Sequence, residues 1–264
     1  MDADSEFVFE LQVCQWAERD WPPERARSIL IARQLGTKRR RWDTIVVECD
    51  PDALETRARF GRERLDSDLL DVLRHAPEEW AWYRDALPDP GYPWRYVRES
   101  IHRADDREIL ETRTRGNRLQ IRRRWAYPDW VERIVAIENK PDFDASAARA
   151  LTDQLQRDVA VGLADEVWVA TAREGGTVEP ALLEDVPVEA GILTVDPTAN
   201  ALAGDAAVDV AWNPRRLAPE DPGTRITERP TGSGRDASAA RFEYADPGWK
   251  ADKRREIAER AYGR

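Results

Sequence analysis

The sequence predicts an α/β fold with a central mixed sheet flanked by helices, and three stretches predict it. The first is Ile134-Val135-Ala136-Ile137, an apolar run that continues into Glu138-Asn139-Lys140. A short continuous apolar run reads as a buried strand, and Pro141, which has no N–H for a ladder, ends it. The second is 146–163, where Ala147, Leu151, Leu155, Val159 and Leu163 recur at a helical period before Val167-Trp168-Val169-Ala170-Thr171. Strand, helix, strand in that order predicts a right-handed crossover and a parallel pair. The third is Trp42–Cys49, whose β-branched centre, Thr44 to Val47, reads as a strand closed by Asp50-Pro51-Asp52.

From the start of the chain, residues 6–20 read as an amphipathic helix with Phe7, Val8, Leu11 and Cys14 on the apolar stripe and Glu10 one position away. Pro22-Pro23 closes it. Residues 24–35, with Ile29-Leu30-Ile31-Ala32, fit either a second helix or a first strand. Lys38, Arg39, Arg40 and Arg41 form a run of cations, suited to a solvated loop or to phosphate contact. Asp43 and Glu48 follow at opposite ends of one strand, five positions apart and so on opposite faces.

Residues 52–125 are richer in arginine and aromatics. Asp66–His75, Pro77–Leu87 and Pro93–Arg103 read as three short helices. Ile109–Thr114 and Arg118–Arg123 flank Arg115-Gly116-Asn117 as a β-hairpin. Three helices and a basic hairpin resemble a winged helix inserted into the main sheet. Arg113, Arg115, Arg118, Arg122, Arg123 and Arg124 decorate its wing, as nucleic-acid contacts or as balance to surplus acid. In the helix after the central strand, Ser146 is the expected N-cap, with Asp144 adding charge at the helix start. Ile192–Val195 and Val208–Trp212 are expected near the sheet edge, 217–240 reads as linker, and Asp252–Tyr262 as a charged terminal helix. The expected organisation is a discontinuous core, 1–51 and 126–216, an insertion at 52–125, and a linker with helix at 217–264.

Composition narrows the chemistry. The 264 residues are 41% hydrophobic with 11 Trp, enough for a core. No apolar run reaches transmembrane length and the start is acidic, so a cytoplasmic protein without membrane contact is expected. Cys14, Cys49, His75 and His102 form no ligand spacing, which argues against zinc and Ser-His-Asp chemistry. Net charge is -10, and the only lysines are Lys38, Lys140, Lys250 and Lys253. An acidic, lysine-poor chain suits a halophile's cytoplasm. Where lysine is so scarce, one at the end of the central strand is a notable placement.

Glu138 and Lys140 on one strand, Asp43 on another and Glu10 on a preceding helix together resemble the PD-(D/E)xK nuclease superfamily, the restriction-endonuclease-like fold. The resemblance covers 6–49 and 128–171, and the segment Glu138-Asn139-Lys140-Pro141-Asp142 also resembles a haloarchaeal family. It implies that Glu138 and Lys140 are the Glu-x-Lys pair and that Glu10 is the first-helix glutamate. It also implies that Gln154 is the following-helix glutamine of one branch, although the tyrosine usual four residues later is here Asp158. The implied activity is Mg²⁺- or Mn²⁺-dependent phosphodiester hydrolysis, most simply of DNA, with a homodimer possible because many enzymes of this fold act as dimers. Mg²⁺ takes oxygen ligands and keeps several waters, so Glu10, Asp43 and Glu138 suffice as its carboxylates, while Lys140 orients the water and shields charge.

Pro128-Asp129 spells the motif literally. Yet nine extended steps of about 3.3 Å put Asp129 roughly 30 Å from Glu138, so Asp43 is the expected partner unless the chain bends between 130 and 134. The alternative is a non-catalytic DNA-binding or regulatory protein on a nuclease-like fold.

Overall fold

The computed structural model describes residues 3–21, 28–38, 40–172, 178, 184, 186–196, 208–228 and 241–263. They divide into two units, Met1–Glu48 with Val131–Ala261, and Cys49–Trp130 with Tyr262–Arg264.

Unit 1 opens with α1 (Ala3–Asp20), β1 (Ser28–Gly36) and β2 (Arg41–Cys49), so the ambiguous stretch 24–35 is a strand from Ser28 on, its residues 24–27 lying outside the described ones. Unit 2 carries α2 (Pro51–Ala58), α3 (Ser67–His75), β3 (Ala81–Trp82), α4 (Tyr83–Ala86), α5 (Trp94–Asp106), β4 (Leu110–Arg115) and β5 (Arg118–Arg123). Unit 1 resumes with β6 (Val131–Asn139), α6 (Ala145–Val161), β7 (Glu166–Ala172), β8 (Gly191–Val195), β9 (Val208–Trp212), β10 (Gly223–Glu228), β11 (Arg241–Ala245) and a terminal helix, α7 (Pro247–Tyr262).

The main sheet has the order β1-β2-β6-β7-β8-β9. β6, β7 and β8 run parallel, and β9 closes the edge antiparallel. Asp43, early in β2, meets Asn139 at the end of β6, whereas Glu48 at the far end of β2 meets Arg133 early in β6. These two strands therefore run antiparallel. The sheet is mixed, with helices packed against it.

The buried face of α1 is Phe9, Val13, Trp16 and Ala17, which pack on Val46, Val135, Ile137, Trp168 and Ala170. That corrects the expected stripe: Phe7, Val8 and Leu11 are exposed. The helix has two apolar rows, and the i, i+4, i+7, i+8 row with the larger Trp16 takes the core. On α6 the buried positions are Ala148, Leu151, Leu155 and Asp158 rather than a strict i+4 series. A straight helix drifts relative to four-residue spacing because its period is 3.6, so Asp158 arrives at a core position. Asp144, not Ser146, caps α6, accepting from the Ser146 and Ala147 N–H groups at 2.8 Å. Gly162 ends it in the left-handed conformation.

Within the expected linker, 217–240, residues 223–228 form a strand that pairs with 241–245 as an antiparallel ribbon, and 229–240 lie outside the described residues. The terminal helix, expected only as a charged segment, buries Lys250, Ile257, Ala258, Glu259 and Ala261. The Lys250 ammonium donates to the carbonyls of Ala218 and Asp221, and Arg254 pairs with buried Asp165 at 2.7 Å. No helix of the described residues is long and apolar enough to cross a membrane.

In unit 2 the expected helix 77–87 is instead the short strand β3 and the single turn α4, while α2 is an addition capped by Asp50. β3 joins the hairpin as a three-stranded sheet, β3-β5-β4. Leu69, Val72, Leu73, Val97, Ile101, Leu110 and Ile121 form its core.

Leu155→Ala empties a fully buried position on α6. Denaturant unfolding should show a loss of about 2–5 kcal/mol; a loss under about 0.5 kcal/mol would mean that α6 does not hold the sheet as described.

Candidate functional site

β2 and β6 lie side by side, so their antiparallel pairing brings the start of one to the end of the other. The Asp43 carboxylate accepts the Asn139 backbone N–H at 2.9 Å, one residue from Glu138. β6 is a single strand from Val131 to Asn139, without a bend between 131 and 134. Pro128-Asp129 therefore precedes the strand end remote from Glu138, and Asp43 is the aspartate placed beside it.

Glu10 enters from α1 and is buried. It accepts from Arg33 at 2.6 Å and from Gln34 at 3.3 Å. The same Gln34 amide donates to Asp43 at 3.0 Å, so one side chain ties the helix glutamate to the strand aspartate. Consecutive strand side chains ordinarily point to opposite faces. Arg33 and Gln34 both reach Glu10 because Gln34 sits at φ 51, in the left-handed region. A non-glycine residue held there costs on the order of 1–3 kcal/mol, and such strain clusters at functional sites.

Arg40 closes the other side. Its guanidinium bridges Glu138 at 2.5 Å and Asp158 at 2.7 Å and lies 5.3 Å from the Trp42 ring centroid. The Trp42 indole N–H donates to Asp158 at 3.0 Å. Expected as a phosphate contact in a solvated run, Arg40 instead faces two buried carboxylates. Lys38 and Arg41 are exposed, and Arg39 lies outside the described residues. Burial pushes the Glu138 carboxyl up to about 7; the charge of Arg40 pulls it down, and that of Asp43 pushes it up again. Burial works against the Arg40 charge, but the hydrogen bond and charge of Asp158, with Glu138 behind them, hold it above its ordinary value.

Lys140 lies one residue beyond β6, where its backbone N–H donates to Ala170 at 2.8 Å, and its ammonium has no ion pair or hydrogen bond among the described residues. Gln154 stands one turn before Asp158 on α6 and is half-buried. The expected residues thus fall into two linked groups, Glu10–Gln34–Asp43 and Glu138–Arg40–Asp158. Among the described residues no set of three or more His, Cys, Asp or Glu is placed to hold a metal ion.

Sequence reading missed Arg33, Gln34 and the role of Asp158. For Asp158 a signal was present: it lies seven residues from Leu151 and three from Leu155, on the buried face. The basic patch of unit 2 includes Arg122 paired with Glu111 and Arg123 with Glu78 at 3.2 Å, while Arg113, Arg115 and Arg118 have no carboxylate partner among the described residues.

A family model described as "Family of unknown function (DUF5787)" matches residues 30–264, a span that holds every residue of this site except Glu10. No curated protein and no solved structure matches the chain.

Two outcomes test these electrostatics. The folded chain holds the Glu138 proton up to about 7, against an ordinary 4.5, so it binds more protons than the unfolded chain in between. The Glu138 contribution to stability should fall as pH rises from 4.5 through 7, and Glu138→Gln should abolish that slope in pH-dependent melts. Arg40→Gln leaves Glu138 and Asp158 uncompensated, with an expected cost on the order of 3–5 kcal/mol at pH 8. The loss should be smaller at pH 5, where Glu138 is protonated; equal losses at both values would contradict the assignment.

Proposed function

The chain belongs to the DUF5787 family, and from the geometry of its site we propose that it is a metal-dependent nuclease that hydrolyses phosphodiester bonds, with DNA as substrate. The observation that carries this reading is the meeting of Asp43 and Glu138 at neighbouring strand ends, with Lys140 two residues further on. The element order α1-β1-β2-β6-α6-β7 supports the likeness to the PD-(D/E)xK superfamily: helix, three strands, helix, strand. The helices and basic sheet of unit 2 support a winged-helix-like module that holds nucleic acid.

The donor set fits a hard divalent cation. Mg²⁺ is commonly bound by one or two carboxylates with waters and substrate phosphate, so a set of three is not required. Glu138 is desolvated and, with Asp43 and Asp158, sets three carboxylates against the one guanidinium of Arg40, an arrangement that a further cation would balance. Asp43 and Glu138 are the residues that would hold the ion, and Mg²⁺ or Mn²⁺ would supply charge neutralisation at the phosphate and a more acidic bound water.

The chain's own groups have separate tasks. Lys140 places a positive charge beside the scissile phosphate, where negative charge grows. Gln34 and the Asn139 N–H hold the Asp43 carboxylate from two sides. Glu10 acts through Gln34 as a positioning residue, and Gln154 orients substrate from α6.

A second reading, a non-catalytic nucleic-acid-binding or regulatory protein, is favoured by the Arg40 bridge, which already ion-pairs with both Glu138 and Asp158.

Cleavage of single-stranded, duplex and forked DNA at high KCl with Mg²⁺ or Mn²⁺ separates the two. The nuclease reading expects metal-dependent products from the wild type and a loss of about a hundredfold or more, of the size known for removing a transition-state donor, in Lys140→Ala and Asp43→Asn. Binding without cleavage in all three proteins supports the regulatory reading instead.

A further inference from the structure

On β5, Ile121 enters the core, so Arg118, Gln120 and Arg122 share the opposite face. β4 lies beside it with Arg115 opposite Arg118, Arg113 opposite Gln120 and Glu111 opposite Arg122. On the other side of β5, Trp82 of β3 is opposite Gln120, on the Arg118 side of the sheet, and is partly buried against the rim of the core. Trp80 joins that side, with the guanidinium carbons of Arg113 and Arg122 at 4.3 and 4.9 Å from its ring centroid. Arg118 lies 4.6 Å from the ring of Trp82. The face is a layer of arginines over two indoles.

This layer is not balanced from within. Arg113, Arg115 and Arg118 are exposed, and among the described residues none has a carboxylate partner. Arg115 and Arg118 are directly opposite one another, and like charges so placed destabilise a strand pair. The chain has a net charge of -10, so acidic side chains are plentiful elsewhere. A cationic face left uncompensated in an acidic protein is complementary to an anion supplied from outside. The indoles ask more of that anion than charge, because flat rings and guanidinium planes are stacking surfaces for bases.

We propose that this face of unit 2 binds single-stranded nucleic acid, with phosphates on Arg113, Arg115 and Arg118 and bases stacked on the layer that Trp80 and Trp82 form with their guanidinium neighbours. Two residues along an extended chain span about 6.7 Å, twice the 3.4 Å or so that separates nucleotides along one strand of a duplex. Consecutive bases can meet both rings only if they are unstacked, which a single strand permits and a duplex does not. The proposal does not depend on cleavage by unit 1.

The test is fluorescence anisotropy of the full chain in EDTA, so that binding is read without metal-dependent hydrolysis. The probes are oligo(dT) and oligo(U) of about 12 nucleotides, within the site sizes of stacking platforms, a duplex of equal length, and heparin as a polyanion without bases. One or both single strands should bind at least about tenfold tighter than duplex at the same salt, and the two arms tell DNA from RNA. Trp80→Ala should weaken the preferred strand by about fivefold to a hundredfold and leave heparin unchanged. The substitutions Arg113→Gln, Arg115→Gln and Arg118→Gln together, all at exposed positions, should lower the slope of log K against log salt by about 2. Duplex binding as tight as single-strand binding would overturn the proposal. So would an unchanged affinity in a folded Trp80→Ala protein, or an unchanged salt slope in the triple variant.

Discussion

The site rests on one partly buried cation. Arg40 stands between Glu138 and Asp158, carboxylates that are 3% exposed each. Ionised carboxylates taken out of water are costly unless paired and hydrogen-bonded. With Arg40 in place, the ends of β2, β6 and α6 share one charge network. Without it, negative charges on three elements face one another in a poorly hydrated space. The buried position of Glu138 and the placement of α6 therefore depend on the same guanidinium, which also opposes the rise in proton affinity that burial gives Glu138.

That arrangement also explains why nuclease and regulatory readings both attach to these residues. A guanidinium and a divalent cation answer the same electrostatic demand, and Arg40 answers it from within the chain. On the nuclease reading, metal and phosphate would supply the positive charge that Arg40 now offers Glu138. Asp43 is better prepared for such a cation, because its two oxygens are held by an amide and a backbone N–H rather than by an opposite charge. The cost of holding Gln34 in a left-handed conformation is consistent with a carboxylate kept in position for use.

Much of the sheet was legible in the sequence, since apolar runs and helical spacing are local signals. The strands at 134–139, 167–171 and 43–49 and the helix between 146 and 161 lie where their patterns put them. The placement of Asp43 beside the end of β6 was legible too, because a distance along an extended strand can be estimated without a structure. What was not legible is non-local or depends on choosing between two local options. α1 has two apolar rows, and only packing selects Phe9, Val13 and Trp16. Arg40 and Asp158 are 118 positions apart, and no spacing rule joins them. A run of four cations gives no sign that one of them turns inward. The pairing of β10 with β11 was hidden by turn-forming composition around a short polar strand.

Diffraction from crystals grown with Mn²⁺ tests the central claim most directly, at the manganese absorption edge. An anomalous peak between the Asp43 and Glu138 carboxylates, with the Arg40 guanidinium drawn away from Glu138, is the predicted result. Manganese absent from these carboxylates at saturating concentration, with Arg40 still bridging Glu138 and Asp158, would contradict a metal-dependent site at this sheet edge.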